Sequence, residues 1–168
     1  MFVRIKKIKG NMYAYLVENS WENNKARQKV KKYLGRIFAP EKTNQIAFEE
    51  SFPTIPKEPK QIVRALMEWT LCQHGFVKDP LVKKKWIYNH GKIVGDPATL
   101  QITSGKNDVT LKINEGYMNE YTLKEIIQIN IKALEQREAA TVLAKACVSA
   151  GIQIPQEVFI ELFQKVHQ

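Results

Sequence analysis

Apolar and polar positions alternate with a period of two over much of the first third of the chain, and this alternation predicts β-strands. FVRIKKIK (residues 2–9) sets Val3 and Ile5 against Arg4 and Lys6. Gly10-Asn11 is a turn signal, and MYAYLVENSW (12–21) predicts a second strand, rich in the β-forming Tyr and Val. Asn23 and Asn24 both tolerate positive φ, which suits the tip of a tight hairpin. ARQKVKKYL (26–34) predicts a third strand, stopped by Gly35.

Pairing follows from the same pattern. With Asn23-Asn24 at the tip, Trp21 faces Ala26, Val17 faces Val30 and Tyr13 faces Leu34, while Glu18 and Glu22 face Lys29 and Lys25. With a three-residue loop, Lys9-Gly10-Asn11, in the first hairpin, Ile5 faces Tyr15 and Val3 faces Val17. This register gathers Val3, Ile5, Tyr13, Tyr15, Val17, Trp21, Val30 and Leu34 on one face. It gathers Arg4, Lys6, Lys25, Arg27, Lys29 and Lys31 on the other. A two-residue loop would move Ile5 to the charged face. A one-residue slip scrambles both faces, so the sorting favours the three-residue loop. Tyr13, Tyr15 and Trp21 are then expected in the apolar layer rather than as base-stacking platforms. Lys7 and Lys32 fall at its rim, their stems along the apolar surface.

The period changes further on. Residues 39–59 hold Pro40, Pro53, Pro56 and Pro59 and predict an extended, semi-rigid connector with a short helix at 43–50. KQIVRALMEWTLCQH (60–74) has a helical apolar stripe and ends at Gly75. KKKWIYNHGKIVG (83–95) predicts a hairpin around Asn89-His90-Gly91, and residues 98–105 and 107–114 predict two more strands. From Thr122 to Ala150 the pattern is helical, with Thr122 and Glu125 as a capping-box signature; QREAAT is either a break between two helices or continuous helix. Gly151 ends that stretch, and Pro155 opens a last helix. The expected fold is α+β: a basic three-stranded antiparallel sheet (1–38), the connector (39–59), and a mixed domain (60–168) with a small antiparallel sheet and three to four helices.

Charge sharpens this division. The chain of 168 residues has a net charge of +9. Residues 1–36 carry ten Lys/Arg against two acids, +8 in the first fifth, whereas the rest carries 16 basic and 15 acidic side chains. A basic end joined to a near-neutral body suits a protein that meets an anion with that end. A small sheet with cations on one face fits the DNA major groove, where Arg4 and Arg27 can make bidentate contacts with guanine and the lysines contact phosphate. Six neutralised phosphates give a log–log salt slope of roughly −0.9 each, near −5 in all. The plainer alternative is a solvated outer face, since lysines also protect exposed strands from edge pairing.

The order Phe2-Val3-Arg4, Tyr13-Ala14-Tyr15-Leu16-Val17-Glu18, Lys25-Ala26-Arg27-Gln28-Lys29-Val30 and Lys32-Tyr33-Leu34-Gly35 resembles the N-terminal segment of certain insertion-sequence transposases, and of short archaeal proteins that share that segment alone. The resemblance covers residues 1–38 and implies a DNA-associated role. It does not extend to the catalytic core of such transposases: Asp79, Asp96 and Asp108 are the only aspartates, and no RNase-H-like core fits into residues 60–168.

Catalytic chemistry is sparse. His74, His90 and His167 lie far apart, without Cys or His at metal-ligand spacing, and there is no GxxxxGK[ST], GxGxxG or GxSxG. His74 is placed at a helix end, where a cation suits the dipole. Cys72 and Cys147 are isolated, which suggests reduced, buried thiols and a cytoplasmic setting. No apolar run is long enough for a membrane span. KKKWIYNH (83–90) forms a second candidate patch, in which Lys84 and Trp86 could serve single-stranded nucleic acid or, equally, core and rim. The reading is a non-enzymatic nucleic-acid-binding protein without cofactor or metal, DNA favoured and RNA close behind. The alternative is an interaction scaffold whose C-terminal helices pair with another protein or a second copy.

Overall fold

A computed structural model describes residues 1–22 and 24–167, and among them the chain forms nine strands and five helices. The strands are β1 (Phe2–Ile8), β2 (Asn11–Glu22), β3 (Lys25–Phe38), β4 (Val77–Lys78), β5 (Trp86–Tyr88), β6 (Ile93–Asp96), β7 (Gln101–Ser104), β8 (Asn107–Ile113) and β9 (Gly116–Met118). The helices are α1 (Phe48–Ser51), α2 (Pro59–Gln73), α3 (Glu120–Gln128), α4 (Gln136–Ser149) and α5 (Gln156–His167). The α+β class is as the pattern indicates. All strands join one sheet in the order β1-β2-β3-β8-β7-β6-β5-β4, with β9 also on β8. Every pairing is antiparallel except β3–β8. The N-terminal strands are therefore continuous with those of residues 60–168, and the expected boundary lies within one sheet.

The first hairpin differs from the expected one. Its turn is two residues, Lys9-Gly10, both at positive φ (48° and 84°) as a tight primed turn demands. Arg4 opposes Tyr15, Ile5 opposes Ala14 and Lys6 opposes Tyr13. The reason lies in what is buried. Ala14, Leu16 and Leu34 form a buried cluster with Val3, Ile5, Ile37 and Tyr121 of α3. Small aliphatic side chains fit beneath the sheet, and Tyr13 and Tyr15 are turned to the other face.

The second hairpin keeps its expected register near the tip: Trp21 opposes Ala26, Val17 opposes Val30, and Glu18 and Glu22 oppose Lys29 and Lys25. Asn24 has φ 58°, whereas Asn23, the other expected tip residue, lies outside the described residues. Tyr13 opposes Arg36, not Leu34, because β3 carries two extra residues, Lys31 and Leu34, at β-bulges. Nor does Gly35 stop the strand. β3 runs on to Phe38 and pairs Arg36, Ile37 and Phe38 with Val109, Thr110 and Leu111. Gly35 has φ 101°, and a Cβ there would lie 2.0 Å from the backbone oxygen of Asp108. The Thr110 hydroxyl, fully buried, donates to the Leu34 carbonyl at 2.8 Å.

The main core pools α2–α5 with β5–β9, around Leu66, Met67, Ile102, Leu111, Leu123, Leu143 and Leu162. Residues 39–58 are strapped to it rather than acting as a spacer. The Thr43 and Asn44 amides donate to the Gln73 carbonyl, Trp69 Nε1 donates to the Ile46 carbonyl at 2.8 Å, and Phe48 packs edge-on against Trp69. The short helix there is α1, one turn at residues 48–51. The capping box of α3 sits three residues earlier than expected, with Asn119 as N-cap and Thr122 reciprocating. The interhelical break falls at residues 129–135, so QREAAT lies inside α4. Residues 116–118 form β9, a short strand paired with β8 just ahead of α3. Cys147 is buried, which pushes its thiol up to about 12, and Cys72 is half-buried.

His74 caps the C-terminus of α2 as a neutral ring, not a cation. It is buried, its Nδ1–H donates to the Thr70 carbonyl at 2.8 Å, and burial lowers its pKa, with Lys42 adding to the effect. The unfolded chain binds the proton more readily, so this contribution is complete above the ordinary histidine pKa and is lost as the pH falls below it.

Two outcomes are expected. Urea unfolding should show Gly35→Ala costing about 3 kcal/mol or more, from positive φ and backbone crowding together. Gly10→Ala, with nothing within 4 Å of the added Cβ, should cost only the conformational strain, about 1–2 kcal/mol. Between pH 7.5 and 5.5 the urea midpoint should fall, and His74→Gln should flatten that fall.

Candidate nucleic-acid interface

Strand alternation and the two bulges decide which side chains share a surface. On β3, Lys25, Arg27 and Lys29 oppose Glu22, Ser20 and Glu18 of β2. Without a bulge, Tyr33 would continue on their face. The extra residue Lys31 reverses the phase, so Tyr33 opposes Tyr15 and joins the opposite surface. The extra residue Leu34 reverses it again, and Arg36 opposes Tyr13 on that same surface.

The result is a face on which Tyr13, Tyr15 and Tyr33 cluster among Arg4, Lys6 and Arg36. Ring centroids are 5.3 Å apart for Tyr15–Tyr33 and 6.3 Å for Tyr13–Tyr33. Tyr33 remains 45% exposed. Partial burial raises its pKa, with the neighbouring Tyr15 and Tyr13 rings adding, so the phenol stays neutral. Lys6 Nζ lies 5.1 Å from the Tyr15 centroid, a cation–π contact. Arg36 sits 5.2 Å from the Phe38 ring and donates to Asn11 Oδ1 at 2.7 Å. Arg4 Nη1 donates to Gln28 Oε1. Among the described residues, none of Arg4, Lys6 and Arg36 pairs with a carboxylate. A concavity of about 390 Å³ at the end of this face is lined by Tyr13, Tyr33, Arg36, Phe38, Asn107 and Asp108.

The other face has a different chemistry. Arg27 pairs with Glu22 at 3.7 Å, Lys31 with Glu18 at 2.6 Å, and Lys32 with Glu120 of α3 at 3.2 Å. The Lys31 contact holds the Glu18 carboxyl below its ordinary range, and Lys124 and then Lys32 do the same for Glu120. The six cations expected together are thus divided: Arg4 and Lys6 lie with the tyrosines, while Lys25, Arg27, Lys29 and Lys31 lie on or reach toward the acidic side. The division follows directly from the two-residue turn of the first hairpin.

Beyond Val17, β1 has ended, and β2 and β3 continue alone as a two-stranded arm. Five residues at the strand rise give it a reach of roughly 17 Å. Its residues Lys25–Lys29 are exposed, and Trp21 near the tip is 79% exposed on the tyrosine face. Trp21, expected in the apolar layer, is thus the most accessible aromatic ring of these strands.

The second patch changes more. Lys84 is exposed in a turn, but Trp86 is only 8% exposed, opposes Gly95 and belongs to the main core, with Lys78 Nζ 5.6 Å from its ring. Its ring is not free to stack on a base. Tyr33 and Arg36 were missed as members of a site. Lys9-Gly10 as a two-residue turn was the signal that would have placed Tyr13 and Tyr15 outside; the bulges that add Tyr33 and Arg36 leave no mark in the pattern.

Among the described residues no group of three or more His, Cys, Asp or Glu is placed to hold a metal ion, and no helix is long and apolar enough to cross a membrane. No family model matches the chain, and neither does any curated protein or solved structure.

Trp69 and Trp86 are each 8% exposed, against 79% for Trp21. Iodide should therefore quench one population of tryptophan fluorescence readily, and Trp21→Phe should remove most of that accessible component while leaving the protected emission in place.

Proposed function

We propose that this protein binds nucleic acid, with DNA favoured, through the Arg4/Lys6/Arg36 face of its N-terminal strands, and that its role is binding rather than catalysis. One observation carries the reading. Glu18, Glu22 and Glu120 all meet the cations of one face, and the other face keeps three cations without a carboxylate partner beside a cluster of tyrosines. A surface meant only to be solvated gains nothing from such sorting. A surface that holds phosphates does, because each unpaired cation can displace a condensed counterion. The excess of positive charge in residues 1–36 and the resemblance of residues 1–38 to a DNA-associated segment point the same way.

Fluorescence anisotropy against labelled DNA over a salt series tests this. The wild type should bind with a steep negative slope of log K against log salt. Arg4→Ala/Lys6→Ala/Arg36→Ala should bind more weakly and flatten the slope by about 2–3, three contacts at roughly 0.7–0.9 each. Binding equal to wild type in that variant would remove this face from the function.

A further inference from the structure

We infer that the tyrosine face is a platform for unpaired bases, so that the DNA it takes is single-stranded; this rests on the nucleic-acid reading above. Phosphate contact alone needs cations, and those would serve as well between threonines or serines. Here the cations stand among rings. Tyr33 is 45% exposed at the centre of the cluster and Trp21 is 79% exposed farther along the same face. In a duplex the bases are stacked on each other and show only their edges in the grooves, so exposed ring faces meet nothing they match. In a single strand every base has a free π-face, and a positively charged track with aromatic rings along it is the arrangement that holds such a strand with little regard for sequence.

Spacing agrees with this occupant. Trp21 is six residues along β2 from Tyr15, roughly 20 Å at the strand rise. A strand laid from the Tyr33 cluster to Trp21 therefore passes several nucleotides, within the roughly 4–16 that one binding fold covers. Arg4 lies beside Tyr15 and its guanidinium reaches Gln28, opposite Asn19, so a cation sits between the two ring sites. Charge complements it as well: along the three strands this face carries cations and no carboxylate. Asp108 stands only at the far end, beside Arg36.

Four labelled probes of equal length separate the possibilities: an oligo-dT 12-mer, the same backbone with abasic sites, a 12-base-pair duplex, and oligo-rU. The dT strand should bind most tightly, and the abasic strand at least tenfold more weakly although its phosphates are intact. Tyr33→Leu should weaken dT binding by about 5- to 100-fold, as loss of one stacked base does. It should leave the salt slope unchanged, unlike the cation variant, and should leave abasic binding unchanged. Tyr33→Phe keeps the ring and should bind as wild type, which separates loss of stacking from loss of fold. Trp21→Leu should act like Tyr33→Leu. Abasic binding equal to dT, tighter binding of the duplex or of rU, or wild-type affinity in Tyr33→Leu would each overturn the inference while leaving nucleic-acid binding in place. Failure of all four probes to bind would overturn both.

Discussion

A short chain of buried hydrogen bonds holds the N-terminal strands to the rest of the molecule. The Thr110 hydroxyl of β8 donates to the Leu34 carbonyl of β3, and Asn119 Nδ2 donates to that hydroxyl at 3.3 Å. Asn119 Oδ1 in turn accepts from the Thr122 amide and starts α3. Thr110, Asn119 and Thr122 are all buried, and buried polar groups of this kind destabilise a fold unless each is satisfied. Here one bulged residue of the ribbon, one strand of the body and one helix terminus satisfy each other. α3 is thereby fixed where Tyr121 closes the small apolar cluster and Glu120 meets Lys32. The parallel pairing with β8 demands a close backbone approach, and Gly35 is the residue that allows it.

The same stretch of β3 sets the chemistry of the exposed surface. Its two bulges each reverse the alternation of side chains, and Lys25, Arg27 and Lys29 end on one face while Tyr33 and Arg36 end on the other. A regular strand would have put Tyr33 with the lysines and separated it from Tyr13 and Tyr15. Bulges also increase local twist. Beyond Val17 only β2 and β3 pair, and Trp21 stands exposed on that two-stranded stretch.

Much of the element map was legible because it depends on local pattern. Period-two alternation located β1 and β2, the helical stripe located α2, and Asn89-His90-Gly91 located the β5–β6 turn. Charge concentration drew attention to residues 1–36 without reference to structure. The errors share one physical origin. Face assignment depends on parity, and parity is changed by a single residue in a turn or a bulge. Tyrosine also has an ambiguous place, since its ring suits a core and its hydroxyl suits water. Grouping Tyr13 and Tyr15 with Val17 gave a tidy apolar face. Ala14, Leu16 and Leu34 formed the actual one. The β3–β8 pairing was illegible for another reason: its partners are about seventy residues apart, and nothing local in VTL or RIF announces the contact.

The exposed ion pairs on the acidic face contribute little to stability. Pairs as solvated as Arg27–Glu22 and Lys31–Glu18 gain little from their attraction, because water screens it and holding two long side chains together costs entropy. Their larger effect is on the field outside the molecule. Each glutamate cancels a cation on its own side, and salt screens charges beyond a Debye length of about 8–10 Å. Arg4, Lys6 and Arg36, with no carboxylate within ion-pair distance among the described residues, therefore set the sign of the local charge beside the tyrosines. The bulges, the two-residue turn and the glutamates act on one outcome: every carboxylate of the three strands stands on one face, and the rings stand with Arg4, Lys6 and Arg36 on the other.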